Sequence, residues 1–390
     1  MEDWGKKSLE LHRKKQGKIS IQSRVPLRNK DDLSTAYTPG VAAVASLVAN
    51  DPKECYQYTM KSHSVAIVSD GTAVLGLGNI GPFGALPVME GKAILLKKFA
   101  GIDAFPLCVN VHTPDEIIAF CKAIEPTFGA IMLEDIAAPA CVEIERRLEK
   151  ELNIPVFHDD QHGTAIVVAA ALINVSRLQK RALSTYKVVI SGTGAAGSSV
   201  CRMLKAIGIT QIRAYNKLGV VSTKKYSDYD FVVRELLDEQ IIQPFDQEDS
   251  LQALLTNQDV FIGVSAPNIV REEMVRQMAP HPIIFAMANP SPEIDPHLAK
   301  KANAFIVGTG RSDYPNQINN VLIFPGLMKG ALKAKAQSIT MDMKIAAAKA
   351  LAYLIQEEEL SVEYIVPNPF DLRVSKVVSN AVRKAYLEKK

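Results

Sequence analysis

The sequence has few cysteines and no strong excess of charge of either sign. Its 390 residues include five cysteines, which are scattered and contain no Cys-x-x-Cys pair. This pattern argues against a disulfide framework and is typical of a reducing compartment. Lysine and arginine together number 45, against 42 for aspartate and glutamate. Such a balance excludes nucleic-acid binding that is driven by bulk charge.

A long hydrophobic run is also missing. The most apolar stretch covers residues 164–175, TAIVVAAALINV, which is too short to span a bilayer and predicts a buried helix. The first 18 residues contain no apolar core of the signal-peptide kind. We therefore expect a cytoplasmic protein whose partners include neither a membrane nor a nucleic acid.

What the sequence does contain is two series of apolar segments that alternate with helical patterns. At about 150 residues per domain, the length predicts two or three domains, and the alternation predicts an α/β fold with parallel sheets. The first series has predicted strands at 65–68, 104–109, 130–133 and 155–157, and predicted helices at 91–98, 114–124, 140–152 and from about 162. The second series restarts near residue 186 with five apolar strands, followed by a helical segment at 330–356, a break at 366–370 and a final helix.

A glycine-rich turn opens the second series. In KVVISGTGAAGSSVCRMLKAIG, an apolar strand leads into Gly192, Gly194 and Gly197, with Ala195 and Ala196 between the last two, and then into a helix. Glycines at these places allow the backbone to approach a pyrophosphate at the N-terminus of the helix. The strand before and the helix after favour a dinucleotide site over a purely structural turn.

The residues expected to contact the cofactor ribose do not distinguish NAD from NADP. An acidic residue is expected about 20 residues after the glycines when the cofactor is NAD. Here the next strand ends in Asn216, followed by Lys217. Asparagine can hydrogen-bond a ribose hydroxyl and lysine can pair with a 2′-phosphate, so these residues leave NAD and NADP both open.

Acidic residues follow two successive predicted strands. Glu134 and Asp135 come after one strand, and Asp159 and Asp160 after the next. Because parallel strands bind ligands at their carboxyl ends, these side chains are expected to converge on one crevice. Converging carboxylates repel one another unless a cation holds them, and their hard oxygens suit Mg²⁺ or Mn²⁺. Helix capping is the alternative for a single pair, whereas two pairs favour a metal site.

Three other candidates are weaker when they are taken singly. His158 and His162 are spaced like zinc ligands, but the glutamate of HExxH is missing and the predicted strand-to-helix break falls between them. Tyr37 could be a turn aromatic and Lys92 a solvated lysine. Near a cation, however, they could supply a proton donor and acceptor.

The ordered motifs of the chain resemble those of the malic enzymes in their short prokaryotic form. They are YTPGVA, LGLGNIGPFGALPVMEGK, LEDIAAP, HDDQHGTA, the glycine turn and INNVLIFPG. The resemblance implies oxidative decarboxylation of L-malate to pyruvate and CO₂, with NAD or NADP reduced and Mg²⁺ or Mn²⁺ required. It also implies a malic α/β domain with a parallel sheet (1–160), a Rossmann-type doubly wound domain (161–365) and a C-terminal helix that packs back on the malic domain (366–390). A homodimer or larger homo-oligomer is expected.

The resemblance also assigns roles to the acidic residues and the lysine. Glu134, Asp135 and Asp160 correspond to the metal ligands of the family. Lys92 corresponds to the base that takes the C2 hydroxyl proton of malate, with Asp159 beside it.

Further roles follow from the same resemblance. Tyr37 corresponds to the acid that protonates the enol at C3. Asn289 and Asn320 resemble asparagines that contact the substrate, and Asn289 is also expected near the cofactor, together with Asn216 and the glycine turn.

The chain departs from the family pattern at two positions. Longer members carry an arginine that grips a malate carboxylate just before LGLG, where this chain has Ala73, and the family often has aspartate in place of Asn216. A redox-neutral conversion of malate to lactate with retained NAD and a non-catalytic dinucleotide-binding protein remain alternatives. Cofactor preference, effectors, physiological direction, oligomer size and the groups that anchor the carboxylates stay open.

Overall fold

The computed structural model of the protein describes residues 3–74 and 76–389, which form two parallel sheets flanked by helices. Leu75 of the LGLG motif, and Met1, Glu2 and Lys390 of the predicted domains, lie outside the described residues. The strands are β1 Ser64–Ser69, β2 Asp103–Cys108, β3 Ala130–Leu133, β4 Val156–His158, β5 Lys187–Ser191, β6 Gln211–Asn216, β7 Gly219–Val220, β8 Val260–Gly263, β9 Ile283–Ala286 and β10 Ile306–Thr309. The helices are α1 Trp4–Lys15, α2 Lys30–Ala36, α3 Val41–Asn50, α4 Cys55–Tyr58, α5 Gly81–Ala100, α6 Pro114–Ile124, α7 Ala140–Glu151, α8 Asp159–Gln179, α9 Ala195–Ala206, α10 Phe231–Asp238, α11 Leu251–Leu255, α12 Glu272–Arg276, α13 Pro296–Lys301, α14 Phe324–Ala334, α15 Met341–Ala352 and α16 Arg373–Leu387.

The first sheet has the strand order β2-β1-β3-β4, with every pair parallel. Strands β1, β3 and β4 are buried along their whole length. Burial on both faces explains why they appear in the sequence as unbroken apolar runs. From β1 the chain goes to β2 on one side and then to β3 on the other. The crevice at the carboxyl ends of β1 and β3 is therefore the expected ligand position.

The second sheet has the order β10-β9-β8-β5-β6-β7. Its strands are parallel except for the two-residue β7, which is antiparallel to β6 and was not predicted. The order reverses between β5 and β8, as in a doubly wound sheet. The predicted fold class, an α/β protein with a Rossmann-type second sheet, is confirmed.

Local capping sets several helix boundaries. Helix α6 begins as predicted, because Thr113 Oγ1 accepts the Glu116 N–H at 3.3 Å while the Glu116 carboxylate accepts the Thr113 N–H at 2.9 Å. Helix α5 begins at Gly81 rather than at residue 91, so the prediction was too short there. Proline is tolerated in a first helical turn, where no N–H is needed, and Pro82 occupies that place in α5.

The predicted helix at 330–356 is in fact two helices. Helix α14 ends at Ala334, where Lys335 adopts a left-handed conformation with φ of 47°, and Thr340 caps the start of α15. The final helix α16 packs against α14 and α15. The ring of Phe370 lies 5.9 Å from that of Phe99 in α5. The proposed domain bounds remain predictions.

The long helix α8 contains the predicted buried apolar run. Residues from Ala165 to Val175 are all buried, and all except Asn174 belong to one core that also contains Val65 of β1 and Val188 of β5. The two sheets therefore share a core through this helix. Among the helices of residues 3–74 and 76–389, none is both long and apolar enough to cross a bilayer.

The N-terminal segment, residues 3–50, has the opposite character. It forms α1, α2 and α3, yet none of its residues is buried. Several of its large apolar side chains are exposed, among them Trp4 at 70%, Ile21 at 89% and Tyr37 at 66%. This segment is attached to α5 where Glu90 accepts the Lys18 N–H at 3.1 Å.

Candidate active site

The four predicted carboxylates meet at the carboxyl ends of β3 and β4. Glu134 and Asp135 directly follow β3, whereas Asp159 and Asp160 form the first turn of α8, which starts at Asp159 rather than at residue 162. Glu134, Asp135 and Asp160 each offer one oxygen, and these three oxygens lie within 4.8 Å of one another. The parallel strands thus bring together the residues that the sequence proposed as metal ligands. We call these three the carboxylate cluster.

The backbone at Asp135 is shaped to make this approach possible. Asp135 has φ of 54°, in the left-handed region that aspartate and asparagine enter more readily than most residues. Its N–H donates to Asp160 Oδ2 at 2.9 Å, and its carbonyl accepts the Ala73 N–H at 3.0 Å. The turn after β3 is therefore fixed both to α8 and to the loop after β1.

The donor set fits a hard divalent cation. Glu134 is 2% exposed, and its Oε2 is buried without a hydrogen-bond partner in the described structure, as is Oδ1 of the neighbouring Asp159. Burial, reinforced by Asp160, raises the pKa of Glu134 well above its ordinary value. A bound cation would satisfy such oxygens and favour their ionised form.

Lys92 lies against the carboxylate cluster. Its Nζ is 2.6 Å from Asp159 Oδ2 and 2.9 Å from Glu134 Oε1. Burial lowers the pKa of Lys92, but the negative charges of Asp159 and Glu134 outweigh burial and raise the pKa above its ordinary value. Its ammonium also lies 4.7 Å from the centre of the Phe324 ring. The alternative interpretation of Lys92 as a solvated lysine is therefore wrong.

A glycine in the second turn of α8 brings another residue close to Asp159. A side chain at Gly163 would come within 2.0 Å of Asp159 Oδ1 and 2.9 Å of Asn320 Cβ. The absence of a side chain here lets the short 3₁₀ turn that begins at Asn320 pack on the start of α8. Asn320, predicted as a substrate contact, is therefore beside Asp159.

The loop after β1 extends from the carboxylate cluster towards the second sheet. Ala73 contacts Asp135 as described above, and Gly76 approaches the turn after β9. A Cβ at Gly76 would lie 3.0 Å from Pro290 Cδ and 3.2 Å from the Asn289 carbonyl oxygen. Asn289 Nδ2 donates to the Met287 carbonyl at 3.4 Å. Asn289 thus borders the crevice between the two sheets.

The glycine turn has the geometry that a dinucleotide requires. Gly192 has φ of 101°, and a Cβ there would lie 2.7 Å from the Val264 carbonyl oxygen after β8. A Cβ at Gly197 would lie 1.8 Å from the Gly192 carbonyl oxygen. Gly194 caps α9, which begins at Ala195 and continues through Ala196. The turn is at the reversal of strand order, and the first N–H groups of α9 have no side-chain cap, so they are available to a pyrophosphate.

Asn216 is at the end of β6, as predicted. Its Nδ2 donates to Thr193 Oγ1 at 3.0 Å, and its Oδ1 accepts the Leu218 N–H at 2.9 Å. The side chain is therefore held beside the glycine turn.

The sequence interpretation missed Glu145, a buried acid in α7. Its Oε1 accepts the His158 N–H at 2.7 Å, and its Oε2 is 3.1 Å from Gln161 Nε2 and 2.8 Å from His162 Nε2. Burial raises the pKa of Glu145, but its neighbours, His162 first among them, lower the pKa below its ordinary value. The signal was present, because Glu145 shares a helical face with the buried Cys141 and Leu148.

The two histidines of HDDQH do not share a face. His158 ends β4 with a fully buried ring whose Nδ1 is 3.9 Å from Asp160 Oδ2, whereas His162 is in α8 and bonds to Glu145. Among the described residues, the grouped potential metal ligands are the carboxylates and include neither histidine. The two histidines therefore lie on different elements, and the rejection of a zinc motif stays a prediction.

Tyr37 is a predicted site residue that does not join the carboxylate cluster in the described structure. It is the residue directly after α2, and its side chain is two-thirds exposed. Within the described part of the chain, its side chain makes no hydrogen bond or ring contact with the carboxylate cluster. Its proposed role as an acid remains a prediction.

Two family models match the chain. The model for the N-terminal domain of malic enzyme matches residues 16–149, and the model for the malic enzyme NAD-binding domain matches residues 161–387. Together they cover every strand of the two sheets except β4.

Individual proteins give the same result. The chain is 51% identical over 385 residues to a bifunctional malic/malolactic enzyme of Bacillus subtilis, covering 98% of this chain and 92% of that protein. It is 50% identical over 369 residues to an NAD-dependent malic enzyme of Geobacillus stearothermophilus, covering 95% and 76%. A crystal structure of an NAD-dependent malic enzyme from Thermotoga maritima superimposes with a TM-score of 0.92 at 47% identity, covering 96% of this chain and 98% of that one.

Proposed function

The chain belongs to the malic enzyme family, and from that premise we propose which of its residues carry out the reaction. The protein is a decarboxylating oxidoreductase that converts L-malate to pyruvate and CO₂ and reduces NAD, with NADP as the alternative cofactor. The observation that carries the assignment of residues is the convergence of three carboxylates and a largely buried lysine at one edge of the first sheet.

Glu134, Asp135 and Asp160 would hold Mg²⁺ or Mn²⁺. When bound, such a cation acts as a Lewis acid on substrate oxygens and, by offsetting the carboxylate charge, lowers the pKa of Lys92. The turn with Gly192, Gly194 and Gly197, together with Ala195, Ala196 and Asn216, would hold the cofactor, which accepts the hydride.

Lys92 acts as the base at the C2 hydroxyl of malate. Its Nζ needs a partner for the proton that it carries in the ion pairs described above. Asp159 Oδ2, at 2.6 Å, is placed to take that proton, and burial raises the pKa of Asp159, which favours its protonated form. The pair can therefore bind and release a proton while staying out of water.

The asparagines orient the substrate, and Tyr37 completes the reaction. Asn320 next to Asp159, and Asn289 at the border of the second sheet, can each donate an amide hydrogen to malate. Neither carries a charge, so they orient a carboxylate without pairing with it. Tyr37 then donates the proton that C3 requires after CO₂ has left.

One set of initial rates tests the function. L-malate is supplied with NAD or NADP, with and without Mn²⁺, and absorbance at 340 nm is followed alongside pyruvate and lactate. We expect reduced nicotinamide and pyruvate in equal amounts, and only when metal is present. Lactate without a rise at 340 nm would instead support the malolactic alternative. The Bacillus relative is named as a bifunctional malic/malolactic enzyme.

We also propose that the protein works as a homodimer in which the N-terminal segment is covered by a second copy. Three helices without one buried residue leave a large apolar surface in water, which a stable monomer rarely exposes. The segment carries Tyr37, so covering it would bring the partner subunit's Tyr37 to the site. All five cysteines are free thiols, which supports a cytoplasmic location.

Mixed dimers test this arrangement. Tyr37→Phe and Lys92→Ala are each expected to be nearly inactive as homodimers. If Tyr37 acts across the interface, co-expression in equal amounts gives dimers of which half are mixed, each with one intact site, so about a quarter of wild-type activity returns. Sedimentation velocity must show a dimer in every sample. A mixture as inactive as its parents, or a monomeric wild type, would contradict the proposal.

A further inference from the structure

A path of hydrogen bonds connects the carboxylate cluster with the dinucleotide helix. It begins at Glu145, which is 4% exposed and accepts the backbone N–H of His158, the residue before Asp159. The second oxygen of Glu145 bonds to His162 Nε2 at 2.8 Å, one turn into α8. The other ring nitrogen, Nδ1, is 2.9 Å from Ser199 Oγ in α9.

Each group on this path has its proton placed by its neighbour. Glu145 is ionised and can only accept, so His162 donates through Nε2–H. A neutral imidazole then has Nδ1 free to accept the hydroxyl proton of Ser199. The direction of every bond in the path is therefore set by the buried carboxylate.

The two ends of the path lie near the two parts of the proposed active site. Its α8 end is within the turn that carries Asp159 and Asp160, and its α9 end is within the second turn after the glycines. Helices α8 and α9 pack against each other, and both contribute small apolar residues such as Ala169 and Val200 to one core. Apolar packing sets a distance between helices but allows them to slide, whereas a directional hydrogen bond fixes their register.

We propose that Glu145, His162 and Ser199 are positioning residues that set the register between the carboxylate cluster and the dinucleotide turn. The inference rests on the proposed function, because hydride transfer is what makes this register matter. A displacement of the order of 1 Å between reacting groups can lower a rate by about 10²-fold. None of the three residues needs to touch malate or NAD to act in this way.

The sharpest test is Ser199→Ala, which removes the link to α9 and leaves every carboxylate in place. In a single turnover with saturating Mn²⁺, NAD and L-malate, we expect the rate at 340 nm to fall roughly 10-fold. The amplitude of the turnover, and the dissociation constants for Mn²⁺ and NADH measured separately, should stay within about twofold of wild type. Loss of folded protein would lower the amplitude and leave the rate unchanged, so a purely structural role gives a different result.

Ser176→Ala is the matched control. Its hydroxyl donates to the Arg181 carbonyl at 2.6 Å at the far end of α8, so the register should be unaffected and the single-turnover rate unchanged. Glu145→Gln tests the other end and should slow the rate at least as much as Ser199→Ala. If Glu145→Gln does not fold, Ser199→Ala alone still decides.

Two results overturn different claims. A wild-type rate in Ser199→Ala, with wild type itself active, would remove the positioning role and leave the proposed function intact. A wild-type enzyme that forms no reduced nicotinamide from malate would remove the function itself.

Discussion

Replacing Lys92 with alanine is expected to lower kcat by at least about 10²-fold, because the base at the C2 hydroxyl is lost. Lys92→Arg should lose a similar factor for a different reason. Arginine keeps a positive charge between Asp159 and Glu134, yet it does not release its proton at working pH. Initial rates at saturating L-malate, NAD and Mn²⁺ measure both variants. Similar losses in the two would separate proton transfer from simple charge neutralisation.

The matched control for Lys92 is Lys98→Ala, an exposed lysine of the same helix α5. It should retain wild-type turnover. Removing Lys92 leaves two buried carboxylates without their cation, so thermal unfolding of each variant is recorded with Mn²⁺ present. If Lys92→Ala folds and turns over normally, Lys92 has no part in the reaction.

Asp135→Asn is expected to abolish Mn²⁺-dependent activity and to weaken Mn²⁺ binding by roughly 10²-fold or more, since even the outer partners of metal ligands change affinity by 10- to 100-fold. The substitution is well suited to the position. Asparagine tolerates the left-handed φ of 54°, so the turn after β3 can keep its shape while a charged ligand is lost. Calorimetric titration with Mn²⁺ measures the affinity directly, apart from activity.

Asp115→Asn controls for the loss of one negative charge. Asp115 is exposed and pairs with Arg147 on the surface at 2.7 Å, where an ion pair contributes little. Its Mn²⁺ affinity should equal that of wild type. An Asp135→Asn protein with an unchanged titration curve would show that the metal is held elsewhere.

The carboxylate cluster could be predicted because its position follows from topology. Acidic residues after successive parallel strands must share one edge of the sheet, and Glu134 and Asp160 do so. The glycine turn was predictable for a similar reason, since Gly192 and Gly197 allow contacts of backbone with backbone that no other residue permits. In both cases a short sequence pattern is sufficient to specify the local geometry.

Other features depend on contacts that a local pattern does not reveal. Gly163 is necessary because Asn320, far along the chain, packs against the start of α8. Glu145 sits on a buried helical face, but the groups that compensate its charge come from β4, from α8 and from Lys344 of α15. The surroundings of Tyr37 depend on what covers residues 3–50. The pattern of apolar residues within this segment does not predict which surface covers it.

The course of α8 has a consequence for building chimeras from members of this family. The helix starts with two acidic residues of the active site and continues through the core that both sheets share. A junction near residue 160 would therefore divide a continuous, largely buried helix. An exchange of halves between relatives should instead be joined after Lys180, where the chain leaves the helix. Helix α8 would then stay whole in the first half, and the second half could still pack against it.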